Sequence, residues 1–499
     1  MAEHLLGFDV GSSSIKATLL EADSGRVSAS AVSPQQELPI LAPRPGWAEQ
    51  DPQVWWEHLA RATAEIRAAA PAALGDVAAV GISYQMHGLV CLDHRGAVLR
   101  PAIIWCDSRA VEIGERAFAA LGERRCLERL LNSPGNFTAS KLRWVRDNEP
   151  ELFARIHRVM LPGDYIAYRL TGQMQTTPSG LSEAILWDFV EGGTAEFLLE
   201  HYELPDTLLP ALVPNFAVQG ELSASAAEAL GLAAGTPVSY RAGDQPNNAL
   251  SLNVLDPGEV AATAGTSGVV YGVGDTRAYD PESRVNTFVH VNHRPEAPRY
   301  GTLLCVNGTA ILNSWLRYNV MSAGAPAVSY DEMNALAATA GVGAEGLRVL
   351  PYGNGAERTL GNRNPGASIH GLDFNRHNRA HLLRASQEGI VFALQYGLEI
   401  MKSMGLSVDK VRAGAANMFL SPLFAEAFAT VSGAAVELFN TDGSQGAARG
   451  AGIGAGLYDF RSAFSGLSTV RTVEPRADLA SAYAEAYGRW RATLKRQSA

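Results

Sequence analysis

Twice in this chain, roughly half its length apart, two apolar runs with strand propensity meet at a turn of glycine and small hydroxyl residues. The first pair occupies residues 5–20 around Asp9, Gly11 and Ser12–Ser14, and the second occupies 259–273 around Gly265–Gly268. A hairpin tip of this composition can aim several backbone N–H groups and hydroxyls at one point, which holds an anion without a helix. Either tip alone is equally an ordinary hairpin with a polar turn. Together they suggest a nucleotide clamped between two α/β lobes and hint at internal duplication, although identity between the hairpins is slight. Asp9 adds a carboxylate beside the first tip, where a metal or a proton could be handled.

The 499 residues exceed what one hydrophobic core serves, so two large domains are expected. The net charge of −10 and the lack of basic runs beyond short patches such as Arg124-Arg125 exclude a nucleic-acid partner. Anionic ligands must then be held by local N–H groups and a metal. Four cysteines (Cys91, Cys106, Cys126, Cys305) show no CxxC and no metal spacing, which fits free thiols in a reducing cytoplasm. The N-terminus lacks a basic region and Asp9 cuts its apolar stretch, so no signal peptide is expected. No run of about 18 apolar residues is present, so no membrane partner is expected.

The pattern predicts a helix over 55–70, with Asp51-Pro52 at its start, and a strand over 77–83 running into Tyr84-Gln85-Met86-His87-Gly88. Short strands follow at 90–93 and 103–105, a mainly helical stretch at 140–235, and strands at 220–222 and 235–240 leading to Gly243-Asp244-Gln245. We place a boundary near 245–255, giving lobes 1–250 and 251–499. The second lobe is predicted to contain a strand near 301–305, helices over 309–320, 328–340 and 381–404, and a strand at 410–413. A further helix starts at the N-cap pair Ser421-Pro422 and ends at Gly433.

Asp244, at the end of a predicted strand, is a candidate to take a proton from a hydroxyl attacking phosphorus; Gly-Asp is also a common turn pair. Gln85–Gly88 and Trp105-Cys106-Asp107-Ser108-Arg109 offer the paired donors, acceptors and flat apolar wall that a polyol site needs. The alternatives there are a core histidine at His87 and a local ion pair between Asp107 and Arg109. The small residues at 412–416 and 443–456 could let backbone approach adenine or let a helix pack closely, and nothing local separates the two. Residues 351–363 read as an irregular polar loop.

These pieces, in order, resemble the FGGY carbohydrate kinases over nearly the whole chain. Asp9-Val-Gly11-Ser12-Ser13-Ser14 is similar to the family's first phosphate loop, and Gly46–Pro52 with Trp55-Trp56 to its early signature. Gly243-Asp244-Gln245 is similar to the catalytic-base motif, and Gly265-Thr266-Ser267-Gly268 to the second phosphate loop. Within the family, Gln85–Gly88, Trp105–Arg109 and Pro351-Tyr352 through Glu357-Arg358-Thr359 most resemble the xylulokinase branch. Glycerol kinases carry a different, Arg-Glu-containing segment where Met86-His87 stands.

The resemblance implies two ribonuclease-H-like lobes of the actin type, with ATP and Mg²⁺ in the cleft. It implies an ATP-dependent kinase of a ketopentose, D-xylulose above all, with gluconate, L-xylulose or L-ribulose as alternative acceptors. A non-catalytic sugar- or nucleotide-binding regulator and a chaperone-like ATPase clamp are the alternatives outside that class. Asp244 would be the general base, and Asp9 with Asp244 would hold the metal. Met86, His87, Trp105, Asp107 and Gln245 would contact the sugar. Gly11, Ser12, Ser13, Lys16, Gly265, Thr266 and Ser267 would cradle phosphates, and Gly414 and Ala415 would border adenosine. Two departures stand out. Ala413-Gly414-Ala415-Ala416 replaces the usual run of glycines, and Thr177–Ser182 is only loosely like the xylulokinase segment. Dimers are frequent in the family, so a homodimer is an expectation of the resemblance and of no particular residue.

Overall fold

Strand β1 (His4–Val10) pairs antiparallel with β2 (Ile15–Glu21), and β2 antiparallel with β3 (Val27–Ser33). On its other side β1 runs parallel to β4 (Val77–Tyr84), which runs parallel to β5 (Val238–Gly243), so the sheet order is β5-β4-β1-β2-β3. The second sheet contains β6 (Glu259–Ala264), β7 (Gly268–Gly274), β8 (Asn286–Val289), β9 (Tyr300–Val306), β10 (Lys410–Gly414), β11 (Val436–Phe439) and β12 (Thr469–Val473). Its order is β8-β9-β7-β6-β10-β11-β12, with β6 antiparallel to β7 and parallel to β10. Each sheet therefore sets a leading hairpin beside two parallel strands, the ribonuclease-H-like arrangement. The two hairpins noted in the sequence are β1–β2 and β6–β7. This computed structural model describes residues 3–322 and 328–498.

The chain divides into two compact units. One contains Met1–Asn253, Phe288–Tyr300 and Thr441–Leu467; the other contains Val254–Thr287, Gly301–Asn440 and Ser468–Ala499. A linear division into 1–250 and 251–499 therefore misses two returns of the chain to the first unit. The later return is the helix Gly443–Gly454, which packs on β1, β4 and β5. Its glycines and alanines let its backbone lie directly on the sheet. A Cβ on Gly7 would run into Ser444 O, one on Gly81 into Ala447 O, and one on Gly450 into the Tyr240 ring. Close helix packing, rather than an adenine border, is what the small residues of this segment serve.

Helix termini follow their local chemistry. Helix Pro52–Ala69 starts at Asp51, whose side chain accepts from Gln53 N, with Pro52 in its first turn. Helix Pro422–Ser432 starts at Ser421 and ends at Gly433 in the left-handed region. The long helix Arg379–Ser403 supplies Ile390, Val391, Leu394 and Met401 to the second unit's core. Other expectations shift. Residues 220–222 form no strand, only a bridge of Glu221 to Pro237, and the strand expected at 235–240 sits at Val238–Gly243. The stretch 309–320 is a helix over Ala310–Leu316 that continues as a π turn, and the next helix spans Tyr330–Ala338.

Candidate active site

The register of the first sheet brings its key residues to one edge. Val10 of β1 lies opposite Tyr84 of β4, and Tyr84 lies opposite Gly243 of β5. The residues that follow, Gly11, Gln85-Met86-His87 and Asp244, thus leave the sheet side by side at its carboxyl end, where open α/β sheets bind ligands. Asp9 stands one residue inside that edge, paired across the strands with Lys16 and Ser83. Ser83 Oγ donates to its Oδ1 at 2.8 Å.

Two carboxylates share this edge. Burial pushes the Asp9 carboxyl above its usual range, and the negative charge of Asp442 adds to the rise, against the Ser83 hydrogen bond and Lys16. Asp244 opens the helix Asp244–Ser251; burial, followed by the charge of Asp9, pushes it up to about 7, opposed by hydrogen bonds from Gln245. A Cβ on Gly443 would lie 2.5 Å from Asp9 Oδ2, so only a glycine there lets the N-terminus of helix Gly443–Gly454 approach the carboxylate this closely.

Among the described residues, no group of three or more His, Cys, Asp or Glu side chains is gathered to hold a metal by itself. Mg²⁺ takes one or two carboxylates and fills its remaining positions with water and substrate phosphate oxygens. Two neighbouring carboxyls that repel each other's charge supply such a donor set.

Met86 and His87 line the same edge. His87 adopts φ 61°; its Nδ1 lies 2.9 Å from Glu183 O, and its ring sits edge-on to Phe137 with centroids 4.8 Å apart. The exposed Trp105 donates from Nε1 to Ser12 Oγ at 3.2 Å, linking its loop to the first turn. Asp107 does not join them. Its carboxylate is fully buried, accepts from Ala48 N at 2.6 Å and grips Arg109 Nε and Nη2. Arg109 also meets Glu49 and lies 3.8 Å from the centroid of the Trp47 ring. Both oxygens of Asp107 are thus spent on scaffolding, which replaces the expected sugar contact with the local ion pair. The segment Gly46–Pro52 has the same role, since Gln50 Nε2 donates to Ser12 O at 2.7 Å.

In the second unit, the Gly265–Ser267 turn is held by Ala310 N, which donates to Gly265 O at 2.9 Å. A Cβ on Gly265 would have Asn417 Nδ2 as its nearest neighbour, at 3.6 Å, so there is room for one at this position. Ala262 of β6 lies opposite Ala413 of β10, which puts the turn and Gly414-Ala415 at the same edge of that sheet. Ala413 is buried in the core, and its added methyl group is absorbed there; Gly414 and Ala415 remain partly open.

Sequence reading missed Asp442, Ser83 and Glu183. Asp442 caps its helix through Gln445 N, a signal present in the Asp-x-x-Gln spacing. Glu183 is 1% exposed, and its carboxyl has the Tyr84 hydroxyl as a hydrogen-bonding neighbour. It lies behind Gly243, where a Cβ would meet Glu183 Oε2 and Met86 Cγ, each at 2.6 Å. Burial holds its carboxyl well above the usual range. Nothing in its immediate sequence marks it.

The N-terminal domain model of the FGGY family of carbohydrate kinases matches residues 4–251, and the C-terminal domain model matches 260–457. The chain belongs to the FGGY family of carbohydrate kinases and is a carbohydrate kinase. It is 32% identical to the xylulose kinase of Escherichia coli K12, over 89% of this chain and 88% of that one. Its fold matches the crystal structure of a xyloylose kinase from Brucella ovis with a TM-score of 0.87 and 30% identity, covering 99% of both chains. The xylulose kinase from Rhodospirillum rubrum matches with a TM-score of 0.85 and 27% identity, over 99% of this chain and 98% of that one. No described helix is long and apolar enough to cross a membrane.

Proposed function

We propose that this kinase transfers the terminal phosphoryl group of ATP to O5 of D-xylulose, with Asp244 as general base. The observation that carries the reading is the pair Asp9 and Asp244 at one strand edge, the second pushed up to about 7, with Met86 and His87 beside them. A base poised near the working pH is ionised often enough to act and basic enough to take a hydroxyl proton.

In this reading Met86, His87, Trp105 and Gln245 hold the sugar so that its terminal hydroxyl faces Asp244. As the sugar oxygen forms its bond to the terminal phosphorus, its proton passes to an Asp244 carboxylate oxygen. The bond from that phosphorus to the bridging oxygen breaks, and ADP leaves. Positioning and charge stabilisation supply most of the rate in such transfers. Asp9, with Asp244 beside it, would hold Mg²⁺, which when bound neutralises charge on the phosphate oxygens. The turns Gly11–Ser13 and Gly265–Ser267 are assigned the phosphates together with Lys16, and Gly414 and Ala415 the adenosine.

The test is ADP release with Mg-ATP across D-xylulose, L-xylulose, L-ribulose, gluconate, glycerol and no sugar. D-xylulose should give the highest kcat/KM, and Asp244→Ala should reduce it by at least about 10³-fold while the protein stays folded. Preference for another polyol would overturn the substrate reading, and sugar-dependent turnover retained by Asp244→Ala would overturn the base.

A further inference from the structure

Helix Thr138–Asn148 turns Thr138, Lys141, Leu142 and Val145 toward the interior, a stripe at i, i+3, i+4 and i+7 in which one member is a cation. Lys141 is 0% exposed. Taking an ammonium out of water is strongly unfavourable unless its donors are satisfied. Here Nζ donates to His87 O at 2.9 Å and to Ile104 O at 3.0 Å. His87 and Met86 form one of the loops read above as sugar contacts, and Ile104 directly precedes Trp105 in the other.

Neighbouring side chains repeat the pattern. Thr138 Oγ1 donates to Gly88 O at 3.3 Å, and Asn136 Nδ2 donates to Asp107 O. Four carbonyls from two loops are thus held by one short segment. The left-handed backbone of His87, at φ 61°, is a conformation that an L residue leaves unless its surroundings fix it.

We propose that Lys141 is a positioning residue for acceptor recognition: by joining the His87 and Ile104 carbonyls it sets the spacing between the Met86–His87 loop and the Trp105 loop. The proposal rests on the reading of those loops as the sugar site. Lys141 itself touches no substrate. Losing it frees the two loops to separate and lets His87 relax toward ordinary backbone angles, which weakens sugar capture and leaves the second unit's Gly265–Ser267 turn unchanged.

The experiment compares wild type, Lys141→Met and Thr138→Val by sugar KM, Mg-ATP KM, kcat and Tm, with sugar Kd measured in parallel by calorimetry. Lys141→Met should raise the sugar KM and Kd about tenfold or more and leave the Mg-ATP KM within about twofold. Thr138→Val should show the same split at about threefold. A lowered Tm with unchanged sugar KM and Kd, or an equal rise in both KM values, would reduce Lys141 to a structural residue and overturn the proposal. Where Lys141→Met fails to fold, Lys141→Arg keeps the charge but alters the spacing, and an unchanged sugar Kd in that variant overturns it equally. Wild-type turnover on a different sugar overturns only the substrate reading, and the split is then read with that sugar.

Discussion

The turn at Gly11–Ser13 is fastened from several parts of its unit: Gln50 Nε2 reaches Ser12 O, Trp105 Nε1 reaches Ser12 Oγ, and Leu38 N donates to Ser13 O. The turn at Gly265–Ser267 is fastened by the start of the next helix, through Ala310 N to Gly265 O and Ile311 N to Thr266 O. The first has Asp9 two residues before its glycine, coupled to Asp442 and, through Asp9's own charge, to Asp244. The second has Thr263 at the corresponding place and Asn417 beside it, both uncharged. One backbone device therefore appears in two chemical settings. The acidic setting suits handling of protons and cations, whereas the neutral one can only cradle.

By that contrast, damage to the first turn's surroundings should strike the chemical step, and damage to the second should strike nucleotide affinity. Asp9→Asn should lower kcat about 100-fold and raise the Mg²⁺ concentration needed for half-maximal rate, as a titration of rate against Mg²⁺ would register. A normal Mg²⁺ dependence in that variant would break the contrast. Gly443→Ala, which sets a methyl group 2.5 Å from Asp9 Oδ2, should displace the carboxylate and cost about tenfold in kcat with little change in either KM.

Gly265→Ala meets nothing nearer than 3.6 Å and should only crowd the phosphates. A rise of about threefold in Mg-ATP KM, or ~0.6 kcal/mol, with unchanged sugar KM would sharpen the division. The smallest effect concerns stability. The folded-state pKa of Asp244 is raised from 3.8 to about 7, so its contribution to stability is full below the unfolded value and is lost as pH rises through about 7. Metal-free Asp244→Asn should therefore melt a few degrees above wild type at pH 8, with a smaller gain at pH 5, in thermal scans at both values.

Local chemistry was the legible part of this molecule. Hairpin tips, the Asp51-Pro52 and Ser421-Pro422 helix starts and the Gly433 stop are written within a few residues of where they act. Gly243-Asp244 was visible because its strand and turn are contiguous. What stayed hidden depends on partners far along the chain. Asp107 looks like a ligand-binding acid until Ala48 and Glu49 arrive beside it and Arg109. Asp442 affects Asp9 across most of the sequence. Lys141 went unread, because a lone cation in a helical stretch looks solvated until His87 O and Ile104 O arrive beside it.

The helix Gly443–Gly454 has a consequence for biosynthesis. Its backbone rests on Gly7 and Gly81, strand positions made long before it. A ribosome must therefore make most of the second unit before the first sheet can receive the helix that covers it. Until then β1 and β4 offer an apolar face to whatever the cell provides, and contacts this distant in sequence form slowly. A nascent chain stalled before residue 443 should stay open to proteases and bound by chaperones, even though every strand of its first sheet has already emerged.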